Sequence, residues 1–210
     1  MLKLSSRLLV VTDRHQTRER PLVPLLQQVV NAGAPAIQLR ERDLSARELV
    51  ALAREVQVVT GSCNSQLLIN DRIDVALAME GVGVHLRSNS LSPSVARRLL
   101  GPQRLMGISV HSVEEAVQAE SQGADYIVLG PIYETPSKQM FGPPLGIQTL
   151  EETCGLVRIP IIGIGGVTAE RAHEMRRAGA FGVAVIAAIL GADDVESATR
   201  ELLDAVTLVS

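Results

Sequence analysis

Several polar side chains in this sequence lie at the ends of short aliphatic runs or in the loops that follow them. They are amides, hydroxyls, cations and a carboxylate: Gln38, Arg40, Arg42, Asn70, Asp71, Ser109, Thr135, Ser137 and Lys138. Amide, hydroxyl and cationic groups bind phosphate oxygens, and carboxylates bind Mg²⁺. Any one of these residues is compatible with a solvated loop, but core strands rarely end in polar residues so consistently. As a set, they predict one polar ligand-binding site.

A further anion site is predicted around Gly163-Ile-Gly-Gly166, after the seventh aliphatic run. Glycines let backbone N–H groups approach an anion, and the N-terminus of a following helix adds a favourable dipole. A tight turn would also use glycine. Because Ile186 and Ala187 follow the eighth run, Gly165 and Gly166 match the usual phosphate position of a (β/α)₈ barrel. We therefore predict that backbone amides bind phosphate there.

Asp71 has two interpretations. As a hard oxygen ligand it fits Mg²⁺, which takes one or two carboxylates together with phosphate oxygens and waters. It also stands where the N-cap of a helix starting at Arg72 would lie. His85 and His111 have no partner spacing typical of a catalytic base, and most single histidines are structural.

The elements that must position these residues are eight short aliphatic runs alternating with amphipathic segments. The predicted strands are Leu8–Thr12, Ala36–Arg40, Leu67–Asn70, Val82–Leu86, Leu105–Ser109, Tyr126–Leu129, Ile159–Gly163 and Val183–Ile186. Predicted helices include Ser45–Val59, His111–Gln122, Thr168–Ala178 and Asp193–Leu208. Units repeating at roughly 25 residues predict an α/β fold, a (β/α)₈ TIM barrel forming one domain over residues 1–210, with its site at the C-terminal strand ends. A doubly wound open sheet is the alternative.

Local residues mark the ends of several helices and one long loop. Ser45 with Glu48 forms a capping-box pattern, and Ser112 stands at an N-cap position. The segment 131–146 is rich in Pro and Gly and has no periodicity. Long loops at the C-terminal face of a barrel are usually lids or binding loops, so this segment is a candidate mobile lid.

Composition excludes several classes of protein. The net charge of −3 provides no electrostatic basis for binding nucleic acid or an anionic membrane. Cys63 and Cys154 lack metal-ligand spacing, so we expect a cytoplasmic protein without a structural disulfide. The apolar run Leu8–Val11 is too short for a signal peptide or a membrane span. The oligomeric state stays open, a homo-oligomer included.

The motifs resemble those of thiamine-phosphate synthase and of its paralogue, the thiazole tautomerase. From about Leu8 to Ala188 the matching segments are Val11-Thr-Asp-Arg14, Gln38-Leu-Arg-Glu-Arg42, Leu68-Ile-Asn-Asp71, Gly83-Val-His-Leu86, Gly107-Ile-Ser-Val-His111, Ala124-Asp-Tyr-Ile-Val-Leu-Gly-Pro-Ile-Tyr133 and Gly163-Ile-Gly-Gly166. The resemblance implies a TIM-barrel enzyme of thiamin biosynthesis. The synthase couples hydroxymethylpyrimidine diphosphate to a thiazole phosphate and releases pyrophosphate.

The resemblance also implies roles for individual residues. Gln38, Arg40, Arg42 and Asn70 would hold the pyrimidine diphosphate, and Asp71 would bind Mg²⁺. Ser109 and Lys138 would contact the pyrophosphate. With Arg40, they are the candidate catalytic residues. The thiazole phosphate would be bound by Thr135, Ser137, Gly165, Gly166, Ile186 and Ala187.

This sequence departs from the family pattern at three positions. Ser90, in His85-Leu-Arg-Ser-Asn-Ser90, stands where the synthase has a second Mg²⁺ carboxylate, and Arg42 stands where the family usually has Lys. Both changes favour the tautomerase, which needs no metal. Pro131 replaces the His that a tautomerase carries as its proton-transfer group, which favours the synthase. We expect synthase activity, with the tautomerase as the alternative and a non-catalytic regulator that binds thiazole or thiamin phosphate as a third.

Overall fold

Eight parallel strands close into a barrel in the computed structural model, which describes residues 4, 6–135 and 143–207. The strands pair in chain order, and β8 pairs with β1. They are β1 (Leu8–Val11), β2 (Ala36–Leu39), β3 (Gln66–Asn70), β4 (Gly83–Leu86), β5 (Met106–Val110), β6 (Tyr126–Leu129), β7 (Ile161–Ile164) and β8 (Gly182–Val185). The predicted (β/α)₈ barrel is confirmed, and the open doubly wound sheet is wrong.

Helices connect successive strands on the outside of the barrel. They are α1 (Leu22–Asn31), α2 (Ala46–Ser62), α3 (Ile73–Leu77), α4 (Pro93–Leu100), α5 (Val113–Ser121), α6 (Gly146–Leu156), α7 (Ala169–Arg177), α8 (Ala187–Leu190) and α9 (Val195–Thr207), and a 3₁₀ turn spans Arg14–Gln16. The strand Tyr126–Leu129 is as predicted, and other predicted boundaries differ by up to three residues, because frayed ends carry little periodicity. Within the described ranges, no helix is long and apolar enough to span a membrane.

Local capping chemistry explains where two helices begin. The Ser45 backbone N–H donates to Glu48 Oε2 at 2.8 Å, and the Ser45 hydroxyl accepts from the Glu48 N–H, so the predicted capping box is confirmed. Ser112 accepts from the Glu115 N–H at 3.2 Å and caps α5, also as predicted. Each such cap stabilises a helix by about 1 kcal/mol.

Alternation along the strands separates two cores. One set of aliphatic side chains faces the helices, and the other set fills the barrel. Tyr126 is fully buried inside the barrel, and a Cβ on Gly107 would lie 2.0 Å from its Cζ atom. Only glycine at position 107 leaves room for this ring. The Tyr126 ring therefore lies inside the barrel beneath the polar C-terminal layer.

Candidate active site

The inward-facing residues near the ends of β2 and β3 are two amides. Gln38 Nε2 donates to Asn70 Oδ1 at 3.0 Å, and both side chains are buried. Gln38 lies on the strand next to that of Asn70, which allows a direct contact across the barrel lining. This hydrogen bond orients both amides and leaves Gln38 Oε1 as an acceptor and Asn70 Nδ2 as a donor for a ligand.

Below the mouth, His85 connects Ser109 to Tyr126. His85 Nε2 lies 2.9 Å from Ser109 Oγ, and its Nδ1 lies 3.0 Å from the Tyr126 hydroxyl. Desolvation by burial lowers the pKa of His85 to about 3, and the negative charge of Asp71 opposes part of this shift. His85 is therefore neutral and only weakly basic at physiological pH, and its Nε2 holds Ser109 in position.

Asp71 contacts the segment that follows β4. Its Oδ2 accepts from Arg87 Nε at 2.9 Å, and its Oδ1 accepts from the Ser90 hydroxyl. Asp71 has a φ of 65°, and α3 begins after Arg72 without a side-chain cap. The N-cap interpretation of Asp71 is therefore wrong, and its carboxylate faces the site. Ser90 lies beside Asp71, where a second carboxylate would stand in the family pattern.

A pocket opens at the ends of β2, β3 and β4, and charged side chains dominate its wall. It is lined by Glu41, Arg42, Leu44, Leu49, Asn70, Asp71, Arg72 and Arg87. Arg42 is exposed there, whereas Glu41 is buried and accepts from the Thr12 hydroxyl at 2.6 Å. Arg40 is half-buried, and its Nη1 lies 3.9 Å from Asp13 Oδ2. The structure thus brings Arg42, Asn70 and Asp71 together, as the sequence predicts.

The glycines after β7 pack closely against the segment that follows β6. Gly165 and Gly166 have φ angles of 103° and 62°. A Cβ on Gly165 would lie 2.6 Å from Pro131 Cβ, and one on Gly166 would lie 2.5 Å from the Glu134 carbonyl oxygen. Both positions require glycine, through their left-handed backbone and through these close approaches.

The amides of this turn are available to an anion. The carbonyls of Gly165 and Gly166 accept from the Tyr133 N–H and from Arg171 Nη1, whereas their own N–H groups donate to none of the described residues. After β8, Ile186 is half-buried and Ala187 is exposed at the start of α8. Their N–H groups also donate to no described residue. This geometry is compatible with the predicted phosphate site.

The candidate lid is anchored at its base. The Leu145 N–H donates to the Pro131 carbonyl at 2.8 Å, and the Gly146 N–H donates to the Ile132 carbonyl at 3.1 Å. Thr135 is described at the start of the loop. Ser137 and Lys138 lie outside the described residues, so their predicted phosphate and pyrophosphate contacts stay predictions.

Sequence reasoning missed two components of this site. Arg87 is the first residue after β4, and a cation directly after a strand was the feature that could have identified it. Tyr126 lies at the start of β6 and resembles an ordinary core aromatic in sequence. Its contact with His85 joins residues 41 apart. Nothing local in the sequence indicates that pairing.

Comparison with known proteins identifies the same family across nearly the whole barrel. The family model described as thiamine monophosphate synthase matches residues 8–189. The thiamine-phosphate synthase of Roseiflexus castenholzii is 44% identical over 195 residues, covering 93% of this chain and 86% of that protein. The one from Moorella thermoacetica is 45% identical over 188 residues, covering 90% of each.

A solved structure has the same fold and related sequence. Thiamine phosphate pyrophosphorylase from Pyrococcus furiosus superposes with a TM-score of 0.86 at 35% identity, covering 95% of each chain. A 3-hexulose-6-phosphate synthase superposes with a TM-score of 0.71 at 17% identity, which is similarity of fold alone.

Proposed function

Because this chain belongs to the thiamine monophosphate synthase family, we propose that it catalyses the formation of thiamin phosphate from hydroxymethylpyrimidine diphosphate and a thiazole phosphate. The thiazole nitrogen forms a bond to the methylene carbon of the pyrimidine. The bond from that carbon to the diphosphate oxygen breaks, and pyrophosphate leaves with the electron pair. The protein must hold two anionic substrates together and stabilise the departing charge.

The observation that carries this proposal is that two groups of donors suited to anions lie at one barrel mouth. Arginine side chains line the pocket after β2 to β4. After β7 and β8, backbone N–H groups donate to none of the described residues. All eight strands are parallel and both groups of donors follow their C-terminal ends, so both lie at the same end of the barrel. A condensation of two phosphorylated substrates needs this arrangement, because each substrate is held by its own charged group.

The contacts support a division of roles among the site residues. Gln38 and Asn70 present one acceptor and one donor for the pyrimidine end, and Arg40 and Arg42 meet its diphosphate. Ser109, held by His85, donates to the leaving pyrophosphate together with Lys138. The amides at Gly165, Gly166, Ile186 and Ala187 bind the thiazole phosphate with Thr135 and Ser137.

Magnesium is the cofactor expected for the synthase, and its fit depends on the carboxylates present. Among the described residues, no group of three or more His, Cys, Asp or Glu side chains could hold a metal ion. Both Asp71 oxygens accept hydrogen bonds, one of them from the Arg87 guanidinium, and Ser90 supplies no charge. These residues do not fit a two-carboxylate Mg²⁺ site. Asp71 alone remains as the ligand predicted for Mg²⁺.

The tautomerase alternative requires a group that moves a proton. His85 is buried with both ring nitrogens engaged. His111 donates from Nδ1 to the Gly130 carbonyl oxygen at 2.6 Å, which leaves its Nε2 as an acceptor. At position 131 a proline packs against Gly165, and its ring carries no acid or base. Pro131 therefore favours the condensation, which needs no proton transfer at the reacting carbon.

The deciding experiment mixes the purified protein with both synthase substrates, with and without Mg²⁺. Thiamin phosphate and pyrophosphate should form in equal amounts. Aromatisation of a thiazole carboxylate phosphate, without any condensation, would establish the tautomerase instead. Binding of thiamin phosphate without turnover of either substrate set would establish a regulator.

A further inference from the structure

Arg87 is placed to meet an anion in the pocket after β2 to β4. It follows β4 directly, and its Nε donates to Asp71 Oδ2 at 2.9 Å. Its two terminal nitrogens donate to none of the described residues, and 42% of its side chain is exposed. A guanidinium has five N–H donors in a fixed plane. Asp71 uses one of them and sets the direction of the other four.

The charges around this pocket favour an anion over a cation. Its lining contains Arg42 and Arg87, a third arginine, Arg72, that is paired with Asp74, and two carboxylates, Asp71 and Glu41. The Glu41 side chain is buried and already accepts from Thr12 and Arg14. Asp71 is paired with Arg87 and Ser90. A divalent cation that bound Asp71 would displace the hydrogen-bonded Arg87 guanidinium, whereas a diphosphate could form hydrogen bonds to that guanidinium.

We propose that Arg87 binds the diphosphate directly and supplies positive charge that a metal ion would otherwise supply at this position. The inference rests on the proposed function, because it assigns the diphosphate of that reaction to this pocket. Arginine stays protonated in proteins and matches phosphate oxygens with two parallel hydrogen bonds. Asp71 is then a positioning residue that orients Arg87, and Ser90 completes the support of Asp71. No proton or electron is transferred in this binding step.

The first test uses inorganic pyrophosphate, the product of the reaction, and measures its binding by calorimetry in EDTA. The wild-type protein should bind it without metal, and Arg87→Gln should weaken binding at least tenfold, because a hydrogen bond to a charged group is lost. Arg87→Lys should recover part of the affinity. Arg98→Gln, which removes an exposed arginine from α4, is the matched control and should bind as the wild type does.

A second test removes the Arg87 cation and adds a carboxylate at position 90 that can bind Mg²⁺. The double variant Arg87→Gly, Ser90→Asp should lose pyrophosphate binding in EDTA and regain it when Mg²⁺ is added. The proposal is overturned if wild-type binding needs Mg²⁺, or if Arg87→Gln binds pyrophosphate in EDTA as tightly as the wild type. Circular dichroism of each variant excludes loss of the fold as the cause.

The outcomes also separate this inference from the proposed function. If the protein condenses both substrates but its affinity for pyrophosphate does not depend on Arg87, the inference is refuted and the proposed function is not. If the protein binds pyrophosphate without metal through Arg87 but condenses no substrates, the proposed function is refuted and the inference is supported.

Discussion

After β7 and β8 the groups presented to a ligand are backbone amides, whereas after β2, β3 and β4 they are the side chains of Arg42, Asp71 and Arg87. The amide side depends on two glycines in left-handed conformations that pack against Pro131 and Glu134. The side-chain side depends on hydrogen bonds between loops from neighbouring strands. The amide side is therefore formed by backbone conformation, and the side-chain side is formed by the positions of charged side chains.

This difference bears on how each side tolerates substitution. Backbone amides carry no net charge, and a substitution cannot exchange them for another group as it exchanges a side chain. A side-chain site can exchange a carboxylate for a cation while the strands stay in place. Ser90 and Arg87 fit such an exchange, since both lie in the loop after β4.

Removal of the Asp71 carboxylate should have the largest effect on the side-chain side. Asp71→Ala should abolish measurable turnover, because Arg87 and Ser90 lose their common partner. Ser90→Asp adds a second carboxylate beside Asp71 and should instead make the rate increase with added Mg²⁺. Steady-state kinetics over a Mg²⁺ series measure both. Unchanged turnover in Asp71→Ala would contradict the positioning role of Asp71.

A methyl group on the amide side should be nearly as damaging. Gly166→Ala places a Cβ 2.5 Å from the Glu134 carbonyl oxygen in a backbone with a φ of 62°. Displacement of the turn should remove at least one charge-assisted hydrogen bond to the thiazole phosphate and raise its KM by about a hundredfold. Gly155→Ala is the control, because no atom lies within 4 Å of its Cβ position in α6. Equal KM values for the two variants would contradict the amide site.

Loss of the Ser109 hydroxyl, on β5 next to the side-chain side, should have a moderate effect. Ser109→Ala should lower kcat about tenfold with little change in KM, because the hydroxyl meets charge that develops as pyrophosphate leaves. Ser94→Ala, an exposed serine of α4, is the matched control. An equal loss in KM, with kcat retained, would place Ser109 in ground-state binding instead.

The smallest expected effect concerns stability below neutral pH. The buried His85 has a pKa of about 3, compared with 6.5 for an ordinary histidine. As the pH falls from about 6.5 toward 3, the unfolded chain takes up this proton first, so the free energy of unfolding should decrease. His85→Gln should show a shallower decrease in urea titrations across this range. Parallel curves for the two proteins would mean that His85 is not the responsible group.

Much of the fold and part of the site follow from local patterns in the sequence. The alternation of aliphatic runs with amphipathic segments predicts eight βα units, since both periodicities arise within a few residues. The same holds for the caps at Ser45 and Ser112, whose partners lie three residues away. Gly165 and Gly166 could be singled out because glycine lets backbone N–H groups approach a ligand, and their phosphate contact stays a prediction.

Tertiary structure alone decided which of these polar residues work together. Barrel closure places the loop after β4 against the end of β3, and only then does Arg87 meet Asp71, 16 positions earlier in the chain. It also excluded the N-cap role of Asp71, which local sequence left equal to a ligand role. Hydrogen bonds between different strands depend on register and side-chain direction. These have no local periodicity, so the sequence determined the strands and the barrel determined the charges that face one another.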